Sequence, residues 1–458
     1  MSKNFKISGY EIKSTDKVLK ALKVFDKNNI NLAIVVNKKK EFLGIVTSAD
    51  IRRGFLKGFT VNSSILKVYN SKPLFIKGNI NEDRISNIIS SKKFSQIDPP
   101  FIPLINENGK AYDLIKKDQI YNYPKKSKSF SNMLPKILVI GGAGYIGSVL
   151  IEKLISKNFK VILFDKFVYN DINFFKKKYK NTDLKIINGD SQNINKIFNA
   201  VKESDAVIHL AELVGDPLCE KRPSKTYAIN YLASITIGNI CKNLGIDKFI
   251  YVSSCSVYGA NKNITNEKSS INPLSIYAKL KALCEKNLIR NLGETIRPCI
   301  LRLGTVYGAS DRPRYDLVIN LFSGLVANKK SITINGGKQW RPFIHVKDVA
   351  DAIIKIINSD KKLVNGQIMN LVGENVQISK IGQIIKSIYP RVKIKYENST
   401  SDNRDYRASN KKAKKIIKFR PNYKIVDGIK EVIDQTKRNK IKNLFNKKYI
   451  NILNYNKF

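Results

Sequence analysis

Apolar and polar positions along this chain fall into two patterns, separated by a stretch that follows neither. In the first, from residue 11 to about 122, an amphipathic run at helical spacing (Val18–Asn28) precedes an apolar strand over 31–36. A charged turn at 38–41 then leads to a second strand, Phe42–Thr47, and a helix, Ser48–Leu56. Residues 14–16 (Ser-Thr-Asp) predict a cap for the first helix. The order returns more loosely: a helix over 84–91, a strand Phe101–Ile105, a turn at 106–109 and a strand opening at 112–115. Residues 121–135 break every periodicity and are rich in Ser and Lys, which predicts a linker, placed at 123–135. From Lys136 the second pattern begins, in which apolar strands alternate with helices. Strands are expected at 136–140, 160–165, 184–188, 206–210, 248–253 and 298–303. That alternation predicts the α/β class with a doubly wound, Rossmann-type parallel sheet over 136–304. An interleaved, smaller region over 305–436 and a basic, frayed tail over 437–458 complete the expected division.

Composition changes this picture little. At 458 residues the chain is long enough for two or three domains with cores of their own. Its five cysteines show no paired spacing, which predicts reduced thiols and neither a disulfide framework nor a metal site. No apolar run approaches a bilayer's thickness, and the first residues lack an apolar signal core, so a cytoplasmic protein without a membrane span is expected. The net charge of +45 raises nucleic acid as a partner. The lysines are spread through every segment, however, with no recognition module and no arginine-rich helix, so no nucleic-acid partner is expected.

The candidate chemistry begins where the second pattern does. Gly141, Gly144 and Gly147 interrupt an apolar strand just before a helix. Glycines at this spacing permit a tight turn, a close approach of backbone to a pyrophosphate and close helix–strand packing, while the helix N-terminus offers N–H groups to phosphate. The next strand ends at Asp165, about 20 residues on, where a ribose 2′-hydroxyl is accepted; a carboxylate there repels a 2′-phosphate and favours NAD over NADP, an effect tempered by Lys166. Asp190 closes the third strand and Ala211 follows the fourth, where His209 reads as a packed strand residue. The strand 248–253 leads into hydroxyls at Ser253, Ser254 and Ser256, at the carboxyl edge of the sheet. Tyr277 and Lys281 stand four apart on one helix face. A nearby ammonium stabilises a phenolate, so Tyr277 can take a proton from a sugar hydroxyl while Ser254 holds the same oxygen.

Two resemblances follow from these residues. Residues 11–122, with the segment Gly-Ile-Val-Thr47-Ser-Ala-Asp50-Ile-Arg-Arg, resemble a tandem pair of cystathionine-β-synthase (CBS) regulatory domains. The resemblance implies an adenosine nucleotide, AMP or ATP, at Thr47 and Asp50; the second repeat lacks the matching Thr and Asp, so at most one site is expected. Residues 136 to about 435 resemble the extended short-chain dehydrogenase/reductases, specifically their NAD-dependent nucleotide-sugar epimerases and dehydratases. The matching pieces include the glycine turn, His209-Leu-Ala211, Asn230, Ser253 to Gly259, Tyr277 with Lys281, Leu301 to Gly308 and Arg341 to Ala350. This resemblance implies a tightly held NAD along Gly141, Gly144, Tyr145, Ile146, Gly147, Asp165, Asp190, Ala211, Asn230, Ser253, Tyr277 and Lys281. It makes Ser254, Tyr277 and Lys281 catalytic, and it puts Ser254, Thr305, Arg341 and Arg404 on a nucleotide-sugar substrate. It gives His345 a structural role, and it implies a homodimer through helices 224–243 and 275–291.

The family's 4,6-dehydratases carry an acidic pair directly after the catalytic hydroxyl, and its decarboxylases carry a Glu in that loop. Here Cys255 and Ser256 follow, so 4-epimerisation through a transient 4-ketone is expected. A 4-keto reductase or dehydrogenase built on the same residues, or a dehydratase of the same family, is the alternative enzyme. An adenosine-nucleotide-sensing scaffold is the alternative outside enzymology.

Overall fold

The computed structural model describes residues 7–78, 88, 94, 100–117, 120, 135–292, 296–397 and 405–457. The expected linker, apart from Pro135, and the helix expected over 84–91, apart from Ile88, lie outside the described residues. The chain divides into two compact units, Met1–Lys128 and Ser129–Phe458.

In the first unit β1 (Glu11–Lys13) lies parallel to β2 (Leu32–Val36), which pairs antiparallel with β3 (Phe42–Thr47). Helices α1 (Val18–Asn28) and α2 (Ser48–Leu56) fall where the periodicity puts them. The cap differs: the residue before α1 is Lys17, with no side-chain capping bond, because the Asp16 carboxylate instead accepts the Lys13 N–H at 2.8 Å. The second half repeats the sheet. There β4 (Ile76–Lys77) runs parallel to β5 (Phe101–Ile105), and β5 pairs antiparallel with β6 (Ala111–Lys116). Even the turns correspond, since Asn37 N–H bonds Glu41 O and Asn106 N–H bonds Lys110 O. Ile34 and Val36 of one half share a buried cluster with Phe101 and Ile105 of the other, which binds the repeats into one core.

The second unit is built on a seven-stranded, wholly parallel sheet. Its strands are β7 (Lys136–Ile140), β8 (Lys160–Asp165), β9 (Leu184–Asn188), β10 (Ala206–His209), β11 (Lys248–Ser254), β12 (Cys299–Leu303) and β13 (Ile368–Leu371). The spatial order is β13-β12-β11-β10-β7-β8-β9, so the winding reverses between β7 and β10, where sheets of this kind open a crevice at their carboxyl ends. Ile137, Leu138, Val139 and Ile140 are all fully buried, as a strand with both faces covered requires.

The seventh strand is missing from the sequence reading because Asn370 interrupts its short apolar run; buried, Asn370 accepts from the Tyr258 hydroxyl at 2.8 Å and donates to Ser409 O. The final segment also departs from expectation. After helix Ile425–Arg438 the chain does not fray: Ile441, Leu444 and Ile450 cluster with Tyr315 and Val432, and Asn451 and Asn454 are buried.

Candidate active site

The turn after β7 is shaped so that a side chain would not fit. Gly141 adopts φ +87°, and a Cβ there would lie 2.6 Å from Ala211 N; at Gly147 a Cβ would lie 2.3 Å from Gly141 O. Helix α3 (Tyr145–Ser156) therefore starts at the crevice, with Gly144 preceding a first turn whose leading N–H groups lack partners within the helix. Asp165, at the end of β8, accepts from Ala143 N–H at 3.0 Å and Phe167 N–H at 2.7 Å. Burial raises its carboxyl above the ordinary range, against the pull of those N–H groups. Lys166 forms a 2.9 Å ion pair with Asp190. Burial works against the Asp190 carboxylate, but the Gln192 N–H and Lys166 outweigh it and hold its pKa below the usual value. Lys166 is thus committed to Asp190, which leaves Asp165 to set the choice against a 2′-phosphate.

These residues and the catalytic candidates line one cavity of about 770 Å³, within the usual range for a small-molecule site. Gly141, Tyr145, Asp165 and Ala211 form one end; Ser254, Tyr277, Lys281 and Thr305 lie along the same wall system. The glycine cradle, the ribose-side carboxylate and the free helix start fit a dinucleotide such as NAD.

Ser254 closes β11, and its Oγ accepts from Ser256 N–H at 3.1 Å and from the Ser256 hydroxyl at 2.9 Å. Its own hydroxyl proton is therefore free for a ligand oxygen. Tyr277 sits in the first turn of the helix Ile276–Leu292 and packs against Leu213, Leu218, Cys219 and Ile229. Lys281, one turn on, does not serve it in the way the spacing suggests. Its ammonium, 5.7 Å from the centre of the Tyr277 ring, pairs with the buried carboxylate of Glu212 and donates to Val252 O. Glu212 also accepts from the Tyr251 hydroxyl at 2.9 Å. Burial first, and then the charges of Glu212, Cys219 and Asp216, push the Tyr277 phenol well above its ordinary pKa, with Arg314 pulling the other way. Glu212 thus takes a share of the Lys281 charge that the helix spacing assigned to Tyr277.

The other expected positions separate clearly. Asn230 is not in the cavity wall; its side chain bonds both Leu213 N–H and Leu213 O at 2.8 Å and braces the loop after β10. Ser253 borders the cavity, but its hydroxyl donates to Glu285 at 2.5 Å, inside a buried network with Arg302 and Tyr258. Ile146 and Arg341 line the cavity; the Arg341 guanidinium lies 5.6 Å from the Tyr406 ring and donates to Trp340 O. Arg404 lies outside the described residues. His209 is buried against Ser234 Oγ at 2.9 Å, its pKa pushed down to about 3 by burial first and Lys281 second. His345 caps a helix by accepting from Lys347 N–H and faces Glu431 at 3.1 Å. Cys255 is a buried thiol, raised in pKa chiefly by burial.

Residues that the sequence reading did not single out also border the cavity: Glu212, Tyr169, Arg312, Arg314 and Asn451. An acid directly after the His209-Leu-Ala211 run, and the pair of arginines at 312 and 314 after a strand end, are signals that could have pointed to them.

In the first unit, Thr47 and Asp50 are bonded to each other. Thr47 Oγ1 donates to Asp50 Oδ2 at 2.7 Å and accepts Asp50 N–H at 3.2 Å, and the same carboxylate takes Thr47 N–H at 2.9 Å. Arg53 pairs with its other oxygen at 2.5 Å. The arrangement is a capping box on α2.

Comparison with known proteins places these features. Residues 3–57 match the CBS domain family and residues 137–372 match the NAD dependent epimerase/dehydratase family. A putative UDP-glucose 4-epimerase of Methanocaldococcus jannaschii is 30% identical over 313 residues, 66% of this chain and 99% of the relative. Among solved structures, a UDP-N-acetylglucosamine 4-epimerase from Methanobrevibacter ruminantium, in complex with UDP-N-acetylmuramic acid, superposes with a TM-score of 0.60 at 29% identity. It covers 66% of this chain and 99% of its own. The UDP-glucuronic acid 4-epimerase of Bacillus cereus, in complex with UDP-glucuronic acid and NAD, gives 0.59 at 26% identity over the same shares. With a glycine-built turn, a ribose-side carboxylate and a Ser–Tyr–Lys set on one cavity, this chain belongs to the NAD dependent epimerase/dehydratase family, joined to an N-terminal CBS domain.

Proposed function

We propose that the chain is a nucleotide-sugar 4-epimerase that retains its NAD through the catalytic cycle. The observation that carries this reading is that Ser254, Tyr277 and the glycine turn line a single cavity, with no acid at the two positions after Ser254. Bound NAD supplies a reversible hydride acceptor. The rest of the chemistry falls to the chain. Ser254 donates to the sugar's C4 oxygen, and Tyr277 takes that hydroxyl's proton and later returns it. The cavity gives the intermediate ketone room to present its other face, so the net reaction is redox-neutral. Arg341 and Thr305 hold the nucleotide sugar, Arg341 as a planar donor to the diphosphate; Arg404 is proposed as its second ligand. A dehydratase must also expel a hydroxide with help from a general acid; Cys255 is buried and raised in pKa, and the Ser256 hydroxyl is turned to Ser254.

Two finer points belong to the same reading. The chain acts as a homodimer through the helices around 224–243 and 275–291, an arrangement supported by exposed Tyr227, Leu232, Leu283 and Ile289 on them. AMP or ATP at Thr47 and Asp50 regulates the enzyme, supported by the CBS match over 3–57 and by the repeated sheet of the first unit.

The test is direct. The purified protein is denatured and its NAD counted, and the native protein is offered UDP-, dTDP-, GDP- and CDP-sugars without added cofactor. About one NAD per chain with conversion of one sugar to its C4 epimer is expected. Absence of NAD together with no turnover on any sugar nucleotide would sink the enzyme reading in favour of a nucleotide-sensing scaffold.

A further inference from the structure

Arg312 is 2% exposed, borders the cavity and pairs with no carboxylate among the described residues. Its neighbour Arg314 takes Asp316 in a two-pronged pair, both contacts at 3.0 Å. That leaves the Arg312 guanidinium with two neutral partners. One is the amide oxygen of Asn451, which accepts from Nη2; the other is the face of Tyr169, 3.9 Å away. Its Nε has no partner among the described residues. A buried cation with a spare donor is costly unless an anion completes it. Burial and the neighbouring Arg314 lower its pKa to about 10, as expected of a charge short of compensation.

Position says which anion is missing. The segment carrying Arg312 is bolted to the first turn of α3: Ser310 Oγ donates to Tyr145 O at 2.8 Å, the Ser310 and Ser148 hydroxyls lie 2.8 Å apart, and the Tyr145 hydroxyl donates to Gly308 O at 2.8 Å. Arg312 N–H in turn bonds Ser310 Oγ. The guanidinium is also near enough to Asp165 to favour its ionised form. It therefore stands at the helix start and ribose-side acid that form the dinucleotide end of the cavity. A planar donor and a helix N-terminus bordering one cavity suit a diphosphate.

We propose that Arg312 is a ligand of the cofactor's diphosphate, held in place by Asn451 of the C-terminal segment. Asn451 can hold it because its Nδ2 donates to Val214 O at 2.8 Å and its backbone N–H reaches Asp316 at 3.3 Å, so it ties the arginine to the loop after β10. The C-terminal segment thereby becomes part of the wall that retains the dinucleotide. This rests on the cavity being an NAD site, and the experiment separates the two claims.

Apo protein is prepared by stripping NAD, and wild type, Arg312→Gln and Arg312→Lys are titrated calorimetrically with NAD and with adenosine, which lacks phosphate. Arg312→Gln should weaken NAD about 10- to 100-fold, the usual range for losing a charged hydrogen-bond partner, with Lys partly restoring it and adenosine binding equal in all three. Equal NAD affinity in wild type and Arg312→Gln overturns the proposal. So does a parallel loss of adenosine, which would make Arg312 a structural wall, or a rise in KM for the sugar nucleotide alone, which would assign it to the substrate. A wild type that binds no NAD removes the cofactor site itself and the proposal with it. Should Arg312→Gln fail to fold, Asn451→Ala carries the comparison: a several-fold loss of NAD with adenosine unchanged supports the assignment, and no change overturns it.

Discussion

Two places in this molecule carry a nucleotide-binding signature, and they differ in where their polar groups point. In the first unit, Thr47 and Asp50 spend their hydrogen bonds on each other and on Arg53. In the second, Gly141 and Gly147 have no side chain because neighbouring backbone occupies the space, and the start of α3 and Arg312, whose buried Nε has no partner among the described residues, border a cavity. The lesson is that a short motif reports local geometry before it reports a ligand. Thr-x-x-Asp before a helix satisfies the helix start by itself, whereas a glycine turn that leaves a cavity and an uncompensated cation leaves polar groups for a ligand to satisfy.

The largest effect expected to sharpen this contrast is at the phenol. Tyr277→Phe removes the proposed proton acceptor while leaving the ring's packing against Leu213 and Cys219 in place. Turnover should fall about 10²- to 10⁴-fold, with the NAD content of the purified protein unchanged. Steady-state kinetics beside cofactor quantitation read both. Undiminished turnover would take Tyr277 out of the mechanism and leave the cavity a binding site only.

Much of the second unit was legible in sequence because its signals are local and repeated. Six apolar runs, most with glycine, serine or acid at their ends, predict six strands within a residue or so of their observed limits. The seventh was not, because Asn370 is a polar residue whose partners Tyr258 and Ser409 come from distant parts of the chain. The same reason hid the role of Asn451, which depends on contacts to Arg312 and Val214 across 139 and 237 residues. Asn230 shows the converse: its place in a family pattern suggested a ligand contact, yet the amide is consumed by both backbone groups of Leu213. Spacing on a helix brought Tyr277 and Lys281 to one face, but spacing carries no information about Glu212, which reaches Lys281 from the end of another strand.

Glu212 gives the second test. The groups acting on the Tyr277 phenol besides burial are Glu212, Cys219 and Asp216, which raise its pKa, and Arg314, which lowers it. With Tyr277 as the proposed base, catalysis needs the deprotonated phenol, so activity rises as pH climbs through that pKa. Glu212→Gln removes a negative charge and frees the Lys281 ammonium, and both changes favour the phenolate. The rising limb of the kcat/KM profile should therefore move to lower pH, by on the order of one unit. A limb that stays put, or moves up, would mean that Glu212 does not govern the base.

The smallest effect expected lies in the first unit, and it tests the other half of the comparison. Thr47→Val keeps the shape of the side chain and deletes the hydroxyl that caps α2. Loss of such a cap costs about 1 kcal/mol, which amounts to roughly fivefold faster amide exchange by local opening over Ser48–Leu56. If Thr47 also holds an adenosine nucleotide, AMP or ATP titrated into the full-length wild type should slow that same exchange, since a ligand that binds only the closed form stabilises it. In Thr47→Val that protection should be lost. Faster exchange in the variant with no nucleotide response in the wild type would assign Thr47 and Asp50 to the helix alone, and would put regulation of the second unit's chemistry outside this signature.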